Sequence, residues 1–412
     1  MSRKKLFVLS TVFMLLMILL VFVLSRTNSG PEAEIAGIYN DDENQSTYHQ
    51  ANGTGEDDEP SNQPVPQTDE PGESDDPDTA EQEPDSNGTP PEPAPENNEN
   101  EPTQSTPHGY IAMRHIRYLN DNFYSRFPFS YQEKRAAVWI AQELLAMGYT
   151  QDDIYVQEFS LDDVIDFMRW GRDALLRSHA VYHNYDYFRD TYLSQNVILT
   201  VPGQSSQVIV VGAHYDTVLY PGASDNASGT ALLLESAQRM RYIDNYYTIV
   251  YVFFGAEEVG LLGAHYYLNS LSEEELDNII FMVNADVLFE GPYFIYGGGY
   301  LTDAANRTVG ANAITRQWDD IAYELTAREG ISLHADPSSV FLSSDQRVFL
   351  DAGFTVMMLF GTYFHRDGSF DFRVFHSYRD CYHYITARWP YKMNDAMRTF
   401  SLFLEEVLLA RY

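Results

Sequence analysis

The sequence is poor in cysteine and in basic residues. Cys381 is the single cysteine among 412 residues, which excludes an intrachain disulfide framework and a metal cluster held by thiolates. Lys and Arg number 26 against 60 Asp and Glu, and the formal net charge is −34. A chain of this charge offers no overall basic surface to a polyanion, so we do not expect a nucleic-acid partner.

Acidic residues are absent from residues 1–30, where the basic cluster Arg3–Lys5 precedes an apolar run, Leu6–Leu24. As a helix, a run of this length spans about 30 Å, the thickness of a bilayer core. No clear small-residue cleavage site follows it. We therefore predict a cytoplasmic cap and an uncleaved transmembrane signal anchor, with the rest of the chain outside the cell. The alternative is a cleaved signal peptide, which would make the protein secreted.

Lys and Arg are absent from residues 31–107, which hold 22 acidic residues and 13 of the 19 prolines. Apolar residues are too sparse here to offset the conformational entropy that folding would cost. Like charges and prolines keep such a chain extended. We predict that this segment is a disordered acidic linker that holds the folded part away from the cell surface.

Residues 108–412 have the pattern of a folded domain. Apolar runs predict strands at Tyr155–Phe159, Val208–Val211, Thr248–Phe254, Ile279–Val283 and Phe354–Phe360. Helical spacing predicts helices at Tyr110–Phe123, Gln132–Met147, Gly229–Met240, Leu261–Leu268, Asn312–Arg328 and Asn394–Leu409. Strands buried on both faces and separated by helices predict an α/β fold, a three-layer α/β/α sandwich with a mostly parallel central sheet. The tyrosine-rich stretch 162–192 has only weak helical periodicity, which does not assign it to an element, and an insertion that covers part of the domain would have this pattern.

Imidazoles and carboxylates follow several of these strands. The fragments VIVVGAHYDTV, GASDNASG, VFFGAEEVG, MVNADV and VFHSYRD carry His214, Asp216, Asp225, Glu257, Glu258, Asp286, His376 and Asp380. In such sheets, ligands bind at the carboxyl ends of the strands. Each fragment alone is a common surface or core pattern. Charges directly after an apolar strand, however, are costly unless they are compensated, so together the fragments predict a metal site.

Imidazole and carboxylate ligands favour zinc, and Co²⁺ or Mn²⁺ would suit the same set. Two histidines and three carboxylates suit a pair of ions about 3.5–4 Å apart, provided that one carboxylate bridges them. We assign the bridge to Asp225, because it lies in a tight loop between the other ligands. His214 and Asp286 would complete one ion, and Glu258 and His376 the other.

Glu257 and Asp216 remain outside this ligand set. Two zinc ions and three carboxylates leave net positive charge, which lowers the pKa of a bound water toward neutrality. In extended backbone, the side chain of Glu257 points away from that of Glu258, so it can serve as the general base. Asp216 lies two residues after His214 and can hold the second nitrogen of that imidazole.

The motifs HYDTV, SDNASGTA, AEEVGLLGA, NADV and FHSYRD resemble those of the two-zinc aminopeptidase family. That family includes secreted bacterial leucyl aminopeptidases, and glutamate carboxypeptidase and the transferrin receptor are its cousins. The resemblance covers roughly 108–412. It implies that the metal ligands are His214, Asp225, Glu258, Asp286 and His376, that the base is Glu257, and that the supporting aspartate is Asp216. It also implies a cis peptide bond after Asp225, in a loop that Gly222 and Gly229 would ease.

Two positions depart from the family pattern. The family often has Ser-Asp-His before its last core strand, where this chain has glutamine at position 346, which cannot titrate. Some members have a tyrosine that donates to the carbonyl oxygen just before the last histidine, where this chain has Phe375. Zinc or another tyrosine must then stabilise the oxyanion, and Tyr363 and Tyr378 are candidates by proximity in sequence. His383 is a rival to His376, which is favoured because an aspartate follows it four residues later, as in the family.

The sequence thus predicts an extracellular, membrane-anchored zinc exopeptidase that acts on peptides. A carboxylate-rich site attracts the α-ammonium of a substrate, which favours an aminopeptidase over a carboxypeptidase. A glutaminyl cyclase is a further alternative, against which the intact SDNASG loop argues. The alternative outside enzymes is a surface binding module that keeps the fold without catalysis, as the transferrin receptor does. The complete ligand set together with Glu257 favours the enzyme.

Overall fold

The computed structural model describes residues 106–164, 193–302, 308–364 and 370–412. The predicted signal anchor, nearly all of the predicted linker and most of the unassigned stretch 162–192 lie outside the described residues. Within these ranges, no helix combines the length and the apolar character needed to cross a membrane.

A mixed sheet forms the centre of the domain. Its ten described strands are β1 (Ile154–Ser160), β2 (Leu193–Val201), β3 (Ser205–His214), β4 (Tyr247–Phe254), β5 (Ile279–Ala285), β6 (Tyr293–Leu301), β7 (Val309–Gly310), β8 (Leu333–Ala335), β9 (Val356–Phe364) and β10 (Phe370–Asp371). The strand order is β1-β2-β4-β3-β5-β9-β6-β7, with β8 paired to β6 and β10 to β9.

The four central strands, β4, β3, β5 and β9, are parallel to their neighbours in that group. The flanking pairs β1–β2, β2–β4 and β6–β9 are antiparallel. The prediction of a mostly parallel sheet therefore holds for the centre and is wrong for the flanks. Four of the five predicted strands are the central ones, and the fifth, at Tyr155–Phe159, is the antiparallel edge strand β1. The sequence analysis predicts no strand at β2 or β6.

Helices cover both faces of the sheet. They are α1 (Tyr110–Asn122), α2 (Tyr131–Ala146), α3 (Leu161–Val164), α4 (Ser228–Met240), α5 (Leu262–Ser270), α6 (Glu273–Asn278), α7 (Ala313–Glu329), α8 (Gln346–Asp351), α9 (Tyr382–Arg388) and α10 (Lys392–Leu409). The six predicted helices are confirmed, with small shifts at their ends. Helix α2 begins after Ser130, whose hydroxyl accepts from the Glu133 backbone N–H, and ends before Gly148, whose φ is +93°.

Alternate residues of β3 point to opposite faces of the sheet, and each face is covered by helices. Ile209 and Val211 belong to the core cluster that α4 and α10 also line. Val210, between them, belongs to the cluster lined by α5 and α8. All three side chains are fully buried. A strand apolar on both faces thus lies between two helical layers, as the three-layer prediction requires.

Candidate metal centre

The structure brings the five predicted ligands together beyond the carboxyl ends of the central strands. His214 ends β3, Asp286 directly follows β5, and Glu258 lies in the turn after β4. Asp225 lies in the turn before α4, and His376 lies in the loop between β10 and α9. Five side chains distant in sequence therefore share one small region.

These side chains form two groups that share Asp225. In the first, Nε2 of His214 lies 3.2 Å from Oδ1 of Asp225 and 3.2 Å from Oδ1 of Asp286. In the second, Nε2 of His376 lies 3.1 Å from Oδ2 of Asp225 and 3.1 Å from Oε2 of Glu258. Asp225 therefore offers one oxygen to each group.

The spacing of these atoms fits metal ligation. Ligand atoms about 2.0–2.1 Å from a tetrahedral zinc lie about 3.3 Å from one another, close to the distances in both groups. Oδ2 of Asp225 is buried, and among the described residues no donor is aligned with it for a hydrogen bond. The 3.1 Å distance between Oδ2 of Asp225 and Nε2 of His376 is therefore the spacing expected of two ligands of one cation. The residues of the centre fit zinc on both counts.

The electrostatics also favour a cation. Burial raises the pKa of both Glu257 and Glu258, that of Glu258 to about 7. Partial loss of solvent opposes a charge on His376, whose side chain is 42% exposed, but Glu258 and Asp225 together raise the pKa of this imidazole to about 11. Burial likewise opposes the charge on Asp225, yet contact with the two histidines holds its pKa below the ordinary value. The carboxylates make the centre strongly negative, and a divalent ion would offset that charge.

Asp216 connects His214 to the turn that carries the two glutamates. Its carboxylate accepts the backbone N–H of Glu257 at 3.0 Å and that of Glu258 at 3.1 Å. Nδ1 of His214 lies 3.2 Å from the backbone oxygen of Asp216 and 3.5 Å from its Oδ1. Nδ1 is therefore engaged by Asp216, which leaves Nε2 to face the two groups. The spacing of Asp216 from His214 in the sequence did not indicate that its carboxylate also binds the backbone of the two glutamates.

Asp380 holds the loop of the shared aspartate. Its carboxylate accepts the backbone N–H of Ser224 at 2.6 Å and that of Asp225 at 3.0 Å. The peptide bond after Asp225 is cis, as the family resemblance implied. Gly229 packs against the end of β5, where a Cβ atom would lie 2.1 Å from the backbone oxygen of Ala285. The loop is thus fixed by both a carboxylate and a close backbone contact.

Asp380→Asn should weaken zinc binding by about 10–100-fold, the usual cost of losing a group that orients a ligand. Asparagine keeps the shape but replaces one of the two acceptor oxygens with a donor, which opposes a backbone N–H. Titration with zinc against a competing chelator measures the change. Asp336→Asn, at a half-buried helix cap, is the control. Equal zinc affinity in the Asp380 variant and in wild type would contradict the role given to Asp380.

The remaining predicted candidates lie in other contacts. His383 is exposed and pairs with Asp121 at 3.1 Å, which favours His376 as the histidine of the centre. The hydroxyl of Tyr378 accepts from Arg379, and the ring of Tyr363 lies under a guanidinium at 4.3 Å. Neither contact directs a tyrosine hydroxyl at the two groups. Phe375 stacks on the His376 ring at 3.7 Å and is 40% exposed.

Arg126 and Glu133 are among the fully buried charged residues that sequence reasoning missed, and both contact chain segments that carry the site residues. The guanidinium of Arg126 donates to the backbone oxygens of Tyr215, Pro221 and Gly222 at 2.6, 2.8 and 3.2 Å. It therefore fixes the chain between His214 and Asp225. The available signal was the segment SRFPFS, in which an arginine stands among phenylalanines.

Residues 196–406 match the sequence profile described as Peptidase family M28. Over 82 residues the chain is 43% identical to Aminopeptidase YwaD of Bacillus subtilis, a match that spans 20% of this chain and only 18% of that protein. The zinc aminopeptidase BSAP of Bacillus subtilis superposes with a TM-score of 0.55 at 17% identity, over 74% of this chain and 96% of that one. A glutaminyl cyclase from an Acidobacteriales bacterium superposes with a TM-score of 0.52 at 19% identity, over 77% and 99%. These two structures share the fold with this chain, and the fold alone does not separate their activities.

Proposed function

The chain belongs to peptidase family M28, and from this premise we propose that it is a zinc-dependent aminopeptidase that hydrolyses the N-terminal bond of peptides. The observation that carries the proposal is the sharing of Asp225 between two ligand groups. Glu257 belongs to neither of these two groups, although its carboxylate lies within ligand distance of His214 and Glu258. We propose one zinc ion in each group. His214, Asp286 and Asp225 would hold the first, and His376, Glu258 and Asp225 the second.

Zinc in these groups would polarise the scissile carbonyl and lower the pKa of the attacking water. The protein supplies the proton transfer. Glu257 takes a proton from the water and returns it to the leaving amine. Its carboxyl group is largely buried, its backbone is fixed by Asp216, and burial raises its pKa above the ordinary value for a glutamate.

The charge of the centre supports cleavage at the amino end. Two zinc ions would outweigh the three ligand carboxylates by one charge, but the carboxylates of Glu257 and Asp216 lie beside them and add two negative charges. The resulting negative sum attracts the α-ammonium of a peptide and repels its terminal carboxylate. A carboxypeptidase needs a cation for that carboxylate, but Arg126 is buried and its guanidinium donates to four backbone oxygens. We further propose that the apolar run at Leu6–Leu24 anchors the protein and that the centre lies outside the cell, on the grounds of the N-terminal sequence alone.

A panel of aminoacyl-p-nitroanilides tests the proposal on the full chain in detergent. We expect turnover that 1,10-phenanthroline abolishes and added zinc restores, because the chelator removes the ions that the five ligands hold. A peptide with N-terminal glutamine separates the enzyme alternatives. An aminopeptidase releases free glutamine, whereas a cyclase releases ammonia and leaves the peptide intact with an N-terminal pyroglutamate. Absence of turnover in protein shown to contain zinc would favour the binding module.

A further inference from the structure

We propose that Glu133 is a positioning residue for Glu257, and that it acts through the backbone of Ala256. The inference rests on the proposed function and extends it to the N-terminal helices. Glu133 lies in the first turn of α2, outside the region that matches the family profile. It is fully buried and touches the turn that carries the candidate base.

The carboxylate of Glu133 joins three separate segments. Its Oε1 accepts the hydroxyl of Ser194 at 2.7 Å and the backbone N–H of Ala256 at 3.0 Å. Its Oε2 accepts the backbone N–H of Phe129 at 2.5 Å. Helix α2, strand β2 and the turn after β4 therefore meet at one buried carboxylate.

The turn after β4 depends on such contacts for its shape. Ala256 has a φ of +54°, a left-handed conformation that costs energy for a residue with a Cβ atom. Its N–H is held by Glu133, and the next two N–H groups, those of Glu257 and Glu258, are held by Asp216. Three successive backbone N–H groups thus donate to two buried carboxylates, those of Glu133 and Asp216. The direction in which the Glu257 side chain leaves the turn follows from this arrangement.

Only a carboxylate can accept from both backbone N–H groups, those of Phe129 and Ala256. The N–H groups of Phe129 and Ala256 lie on different oxygens of Glu133, and a backbone N–H can only donate. A glutamine has one acceptor oxygen, so its NH₂ group must face one of the two donors. Glu133→Gln therefore releases either the turn itself or the chain segment that supports α2.

The test compares Glu133→Gln with two controls in the full chain. Glu235→Gln alters another fully buried glutamate, whose oxygens accept the backbone N–H groups of Gly109 and Ala112 at 2.7 and 2.8 Å. Ser194→Ala removes the hydroxyl donor but leaves both backbone contacts of Glu133. Each variant is measured for kcat and KM on an aminoacyl-p-nitroanilide, for zinc content, and for its midpoint of thermal unfolding.

We expect Glu133→Gln to lower kcat by about 10–100-fold, the cost of a small misplacement of a reacting group, with KM and zinc content within about twofold of wild type. Glu235→Gln should lower the unfolding midpoint without this loss of kcat, and Ser194→Ala should keep kcat near the wild-type value. If Glu133→Gln does not fold, Glu133→Asp decides, because it keeps the charge but draws the carboxylate back by one methylene.

Three results would overturn the inference. The folded Glu133 variants could keep the wild-type kcat, Glu235→Gln could lose kcat to the same extent, or the loss of kcat in Glu133→Gln could accompany a loss of zinc. If the wild-type protein is active and the Glu133 variants keep its kcat, this inference is overturned but the proposed function is not. A wild type without turnover overturns the proposed function, and the inference falls with it.

Discussion

Glu257→Gln should abolish nearly all turnover while zinc stays bound. An amide cannot accept the proton of the attacking water, and general-base catalysis contributes about 10²–10⁴-fold to a rate. The side chain keeps its size, and both backbone contacts around it, at Ala256 and at Glu257 itself, remain. The measurement is kcat on an aminoacyl-p-nitroanilide together with zinc content per chain.

The matched variant is Glu258→Gln, one residue further along the same turn. Glu258 contacts His376 and accepts the backbone N–H of Val218 at 3.1 Å, so we expect this change to release zinc. Glu257 also lies within ligand distance of His214 and Glu258. If Glu257→Gln loses zinc and Glu258→Gln keeps it, the two glutamates have each other's roles.

Asp225→Asn should remove activity and reduce zinc binding in both groups. The aspartate offers one oxygen to each group, and an asparagine has a single acceptor oxygen with an NH₂ group in place of the other. We expect zinc content to fall from about two ions per chain to one or fewer, and kcat to fall by at least about 10³-fold, because the pair of ions acts as a unit.

Asp286→Asn is the control for this prediction, because its contact lies in the first group only. It should weaken one ion and leave the other. Retention of two ions in Asp225→Asn, at wild-type affinity, would show that Asp225 does not bridge.

The parts of the fold that the sequence predicted are those with strong local signals. Helix α2 has a capping serine and a closing glycine, and β4 is an unbroken apolar run. Strand β6 was missed because its sequence, YFIYGGGYL, has three glycines, which are rare in strands. The reason for one of them is tertiary: a Cβ atom at Gly298 would lie 2.6 Å from the ring of Trp318. No local pattern reports such a contact.

In the candidate centre, too, the features with a local sequence signal were predicted and those set by tertiary contacts were not. The ligand types stand at the ends of predicted strands, so the topology of the sheet brings them together. The groups that hold the loops come from elsewhere: Arg126 and Glu133 precede the first strand, and Asp380 follows the last. Apart from the hydroxyl of Ser194 on Glu133, the partners named for these three groups are backbone atoms, which leave no residue-type signature. His376 itself has a φ of +52°, a conformation that hydrophobic periodicity cannot indicate.

Anomalous diffraction at the zinc edge, on crystals of the zinc-loaded protein, tests the central claim most directly. We expect two peaks about 3.5–4 Å apart, one between His214 and Asp286 and one between His376 and Glu258, with an oxygen of Asp225 next to each. A single peak, or two peaks of which Asp225 approaches only one, would contradict the proposal of a shared pair of ions.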